Sequence, residues 1–120
     1  MANSIRIDDL AKPVYTQAAR DLMDAVSEDM VILDAQGIMA AAKEQAGLGD
    51  FGDMDFVDRL QLICDAYKAD TDLNTMGRIT ASTVLIRNAV QRLRHEALWK
   101  THPEIIDTKI ERPIIIAGLP

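Results

Sequence analysis

The one segment of this chain patterned as a buried strand has no second segment to pair with. Ile114, Ile115, Ile116 and Ala117 form an unbroken apolar run. That is the pattern of a strand covered on both faces in a parallel sheet, with Pro113 at its first position, where no ladder donor is needed. A single strand cannot make a sheet. Ahead of it the apolar periodicity is helical nearly throughout, with no strong alternating segment and no internal repeat. The expected fold is therefore mainly α, with about four helices over residues 1–110 and one C-terminal strand within 111–120. Gly118 follows the run directly, at the point where a tight turn can aim successive N–H groups and the start of a helix at a phosphate or sulfate.

Four helical patterns precede the strand. The first is expected from about Pro13, which suits an opening turn, to Val26, with Tyr15, Ala19, Leu22 and Val26 on one face. After a short link, SEDMVILD, Asp34 is placed to cap a second helix that runs through Ile38, Met39 and Ala42 to a stop at Gly47. Gly37 and the alanine-rich face mark this helix as the least securely packed. GLGDFGDMD reads as a loop, with Phe51 turned inward as its anchor. Asp55 is the expected cap of a third helix, whose core stripe is Phe56, Leu60, Ile63 and Tyr67. The fourth, from about Asn74 to Lys100, carries Ile79, Ile86, Val90, Leu93 and Ala97 on one face, flanked by Arg87 and Arg94. His102-Pro103 ends it, because the residue before proline is pushed out of the α region, and PEII forms a short turn.

At 120 residues the chain holds one domain, not two. Its net charge of −6 argues against a general binder of nucleic acid or anionic membrane. The charge is uneven: residues 1–72 hold 15 acids and 6 bases, a net of −9, and residues 73–120 hold 4 acids and 7 bases, a net of +3. The single Cys64 excludes an internal disulfide framework, and its place on an apolar helix face reads as a packed thiol in a reducing cytoplasm. Arg6, Asp8 and Asp9 interrupt any signal-peptide apolar region, and no stretch approaches the length of a membrane span. Met1 reads as a natural start, so that any truncation would lie at the other end.

The polar clusters favour structural roles. Asp50, Asp53, Asp55 and Asp58 invite a calcium reading, but glycines at 49 and 52 do not fit the register of a helix-loop-helix calcium loop, whereas turns and caps explain the same carboxylates. His95 and His102 have no Cys or second His at metal-ligand spacing, so no metal site is expected. Glu96 beside His95 projects about 100° away from it on a helix, which makes a general acid/base pair a poor reading. Trp99 either covers a groove or docks against a sheet, and docking is the expectation because large aromatics close cores.

Four stretches in order resemble bacterial members of the sulfotransferase family that uses 3′-phosphoadenosine 5′-phosphosulfate: GLGDFGD at 47–53, LNTMGR at 73–78, RLRHEALWKTHPEIID at 92–107 and IERPIIIAGLP at 110–120. In that family the first core strand leads into a loop of the form G-L-P-R-[ST]-G-T-T. The resemblance implies that this chain is the helical N-terminal part of such an enzyme, cut at the mouth of its phosphosulfate-binding loop and inert by itself. The intact protein would transfer a sulfuryl group to a hydroxyl or amine of a small-molecule acceptor. Of the cofactor site only Gly118, Leu119 and Pro120 would be present, with no catalytic residue. The strand in 111–120 would be the first of a P-loop-like α/β core, and the helices would pack beside that core and help shape the acceptor pocket. Left unpaired, the strand would drive self-association. Two alternatives stay open: the N-terminal part of a P-loop nucleotide kinase, in which the same strand runs into G-L-P-G-S-G-K, and a helical interaction module whose apolar tail docks onto a partner's sheet edge.

Overall fold

A computed structural model describes residues 14–115 and residue 117. Four α-helices occupy these residues: α1 Gln17–Asp24, α2 Ala35–Ala46, α3 Val57–Ala69 and α4 Thr75–Thr101. Short 3-10 turns fill Glu28–Met30 and Pro103–Asp107. Among the described residues there is no strand, so the chain is mainly helical there. Nor is any described helix long and apolar enough to cross a membrane.

Three of the helices start where a side-chain oxygen can take a free first-turn N–H. Thr16 accepts from the Ala19 N–H at 3.3 Å, Asp34 from Gly37 at 2.7 Å and Asn74 from Gly77 at 2.8 Å. The Asp34 cap and the Gly47 stop of α2 are as the sequence predicts. Gly47 takes φ +65°, and its N–H donates to the Lys43 carbonyl at 2.9 Å. The break after Thr101 and the turn opened by Pro103 also agree.

The core lies where α2 packs along α4. Leu33, Ile38, Ala42, Phe51, Cys64, Ile86, Ala89, Val90 and Leu93 form one buried cluster. Of the predicted α4 stripe, Ile86, Val90 and Leu93 are buried and Ile79 and Ala97 half-buried, with Arg87 and Arg94 exposed. The expectation that α2 is the least securely packed helix is overturned. Ile38 and Ala42 are fully buried, and α2 makes the most extensive helix-helix contact in the fold. Its small side chains are the reason, because alanines let two helix axes approach closely. Gly37 is needed within its own first turn: a Cβ there would stand 2.7 Å from Ile32 Cγ2, 2.8 Å from Asp34 Oδ2 and 3.2 Å from the capping oxygen Asp34 Oδ1. Replacing a helical glycine by alanine ordinarily stabilises, but Gly37→Ala is expected to lose about 1 kcal/mol through displacement of the cap. Urea unfolding checks the sign, and a gain in stability would show that the cap tolerates the methyl group.

Helix α3 departs from expectation in two respects. Asp55 does not cap it: Phe56 stands at the cap position with no side-chain bond, while Asp55 pairs with Arg59 at 3.0 Å one turn on. The inward stripe is also rotated. Phe56 and Leu60 pack half-buried against the core as predicted, but Ile63 and Tyr67 are exposed, and Gln61, half-buried, and Cys64, fully buried, take the inward side beyond Leu60. The Gln61 amide oxygen accepts from the Ala35 N–H at 2.9 Å and so satisfies a first-turn donor of α2. That bond fixes the roll of α3 with Cys64 in the core, and Ile63, about 100° away, is carried out to solvent.

Helix α1 is shorter than predicted. Pro13 lies outside the described residues, and Tyr15 and Leu22 are exposed rather than core-facing. No residue of α1 is buried, and its link to α4 runs through Asn74 Nδ2 donating to Met23 Sδ at 3.5 Å. The link after α1 contributes more than its polar start implies. Ser27 caps the 3-10 turn, and Leu33 then enters the core.

The expected C-terminal strand is not formed by the described residues. Positions 113–115 carry no regular structure, and Ile114 and Ile115 are 90 % and 86 % exposed. A strand needs a neighbour to receive its N–H and C=O groups, and the four helices offer none. Ile116, Gly118, Leu119 and Pro120 lie outside the described residues.

Candidate functional site

Residues 47–56 join α2 to α3, and the C-terminal half of α4 holds them in place. Phe51 is buried, as its predicted role as loop anchor requires, and tilts against Phe56 with ring centroids 5.8 Å apart. Arg92 is the clamp. Its Nε donates to the Phe51 carbonyl at 2.8 Å and its Nη2 to the Asp53 carbonyl at 2.6 Å, while the guanidinium lies 4.4 Å from the Phe56 ring centroid. One planar fork thus satisfies two loop carbonyls and a π face together. Gly52, at φ +69°, lets the backbone lie directly against Glu96. A Cβ there would stand 2.5 and 2.6 Å from the two carboxylate oxygens. One turn beyond, Lys100 pairs with Asp50. The Lys100 hydrogen bond, followed by the Gly52 N–H, holds the Asp50 carboxyl below its ordinary range.

The clamp leaves an open groove of about 730 Å3 between the start of α3 and the outer face of α4. Phe56 and Leu60 form one wall, and Leu85, Ala89, Arg92, Glu96 and Trp99 run along the other. The α4 residues are spaced 4-3-4-3, which keeps them in one seam down the helix, beside the seam that faces the core. His95 stacks on Trp99 with centroids 6.5 Å apart and planes at 24°. Trp99, 48 % exposed, lines the groove. Among the described residues neither His95 nor Glu96 makes a side-chain hydrogen bond or ion pair.

The aspartates of the loop are engaged locally. Asp50 accepts from the Gly52 N–H at 2.8 Å, Asp53 from the Asp55 N–H at 3.0 Å, and Asp58 sits exposed in the first turn of α3. Among the described residues no three His, Cys, Asp or Glu side chains converge as a metal site would require. His102 lies apart from the groove, with Nδ1 3.1 Å from Glu104 Oε1. Cys64 is fully buried, and burial pushes its thiol up, with the Asp34 charge adding to the rise. It is the packed, unreactive thiol that its helix face predicts. The predicted cofactor-binding residues Gly118, Leu119 and Pro120 lie outside the described residues, so the groove is a site that the sequence reading did not assign. Its signal was present in the 4-3-4-3 seam from Leu85 to Trp99, hidden because Arg92 and Glu96 interrupt it with charge.

The groove offers apolar walls, two aromatic faces and the carboxylates of Asp53 and Glu96, a set suited to binding an amphipathic molecule. Comparison of the chain with protein-family models, with curated proteins and with solved structures finds no match.

Proposed function

We propose that this chain is the helical N-terminal region of a sulfotransferase using 3′-phosphoadenosine 5′-phosphosulfate, and that its groove forms part of the pocket for a hydroxyl- or amine-bearing acceptor. The reading starts from the four stretches that resemble the family. One structural observation supports it: Arg92, at the head of one stretch, grips the backbone of another, and the groove opens beside that junction. Residues 41 apart in sequence, one from each stretch, are thereby joined at a concave surface of the size small ligands occupy.

In this reading residues 111–120 enter the first strand of a P-loop-like α/β core, and the exposed Ile114 and Ile115 are the side chains that core would cover. Gly118, Leu119 and Pro120 begin the phosphosulfate loop, whose N–H groups and basic side chains would stabilise charge on the transferring sulfuryl group. The protein works in a reducing cytoplasm, where Cys64 remains a thiol.

The test is sulfuryl transfer by the protein in which this chain runs on into that loop. With labelled phosphosulfate donor and a panel of amines and alcohols, the expected result is labelled acceptor together with stoichiometric adenosine 3′,5′-bisphosphate. Residues 1–120 alone are expected not to bind that nucleotide. ATP-dependent phosphoryl transfer in place of sulfuryl transfer would overturn the reading in favour of a kinase.

A further inference from the structure

Within the groove, Glu96 is anomalous. Its neighbours along the seam are apolar or already engaged: Ala89 is buried, Arg92 is committed to two loop carbonyls and a ring, and Trp99 is stacked on His95. The Glu96 side chain is half-buried against the Gly52 backbone, yet among the described residues it has no hydrogen-bond or ion-pair partner. A partly desolvated carboxylate without a partner is unfavourable, and its cost is relieved when a cation or a hydrogen-bond donor arrives. Asp53 lies on the same lining. The two carboxylates there, Asp53 and Glu96, outnumber Arg92, whose guanidinium is already engaged, so the groove attracts positive charge.

The remaining walls define the rest of the ligand. Phe56, Leu60, Leu85 and Trp99 present aromatic and aliphatic surface. Aromatic faces attract cations as well as apolar bodies, and Trp is the strongest of them. We propose that the groove binds an apolar primary amine, its ammonium on the Glu96 carboxylate and its hydrocarbon body between Phe56, Leu60 and Trp99. As an account of the acceptor this rests on the sulfotransferase reading and narrows its hydroxyl-or-amine choice to the amine. As an account of binding it stands without that reading.

Trp99 is the only tryptophan in the chain, so its emission reports on the groove alone. The experiment titrates residues 1–120 with diphenylpropylamine and, separately, with diphenylpropanol, which has the same body and no charge at neutral pH. The amine is expected to shift Trp99 emission saturably and to bind at least about tenfold more tightly than the alcohol, the difference a charged hydrogen bond makes. In Glu96→Gln the amine should fall to the alcohol's affinity and the alcohol should be unchanged, with circular dichroism confirming that the variant is folded. Equal affinity of amine and alcohol for the unaltered chain overturns the proposal without recourse to any variant, as does a Glu96→Gln variant that keeps the preference for the amine. No phosphosulfate enters this assay. An amine that binds here but is not sulfated by the longer protein counts against the sulfotransferase reading and leaves the groove assignment standing.

Discussion

Replacing Leu93 by alanine is expected to cost about 2–5 kcal/mol, a large share of the roughly 5–15 kcal/mol that holds a domain of this size together. Leu93 is fully buried in the cluster that joins α2, α3 and α4. The substitution removes apolar contact and leaves a cavity that two close-packed helices can only partly collapse into. Urea unfolding should show a lower midpoint with little change in slope, as for a loss of stability within an unchanged native state. The neighbouring Leu98, 47 % exposed, supplies the control, and its alanine variant should stay within about 0.5 kcal/mol of the parent. Equal effects at the two positions would mean that the contact between α2 and α4 is not what holds the fold.

The second large effect belongs to Arg92. Arg92→Met keeps most of the side-chain stem but strands the Phe51 and Asp53 carbonyls and removes the cation from the Phe56 ring. Hydrogen bonds from a charged donor contribute about 1.5–3 kcal/mol each, and the contributions are not additive when one group makes both, so a total near 3 kcal/mol is expected. Arg92→Lys discriminates between charge and shape. A lysine keeps the positive charge but cannot form the planar fork, so it should recover less than half of the loss. If the lysine variant unfolds at the same urea concentration as the parent, attraction to the acidic loop, rather than the two directed bonds, holds the clamp.

Residue by residue, the elements legible in the sequence were those fixed by local chemistry. Asp34, Asn74, Gly47 and Pro103 each set a helix boundary through a cap, a left-handed residue or a missing donor, and all four act where their types and neighbours place them. The apolar stripe of α4 was equally plain because it runs for most of a long helix. What failed depended on distant partners. The roll of α3 is set by Gln61 reaching Ala35, 26 residues away, and no helical period records that bond. The central place of α2 is not legible in its sequence because small residues look weak in isolation and become strong only when another helix comes close. The apolar run at 114–117 is strand-like by composition alone, and whether it pairs depends on a neighbour that the described helices do not supply. In the groove, Trp99 and Glu96 align with Leu85, Ala89 and Arg92 on α4, but it is the loop lying across that seam that makes a site of them, and the loop's position depends on the Arg92 bonds.

The pairing of α2 with α4 also sets an order of events during synthesis. The ribosome completes α2 and α3 before the residues that bury them have been made. An isolated helix of 12 or 13 residues is marginal in water, so neither α2 nor α3 can persist on its own at that stage. Ile38 and Ala42 gain most of their cover only when Ile86, Val90 and Leu93 emerge, and the Arg92 clamp cannot close before then. The middle of the chain therefore leaves the ribosome with much of its apolar face uncovered, and the packing that buries it requires α4.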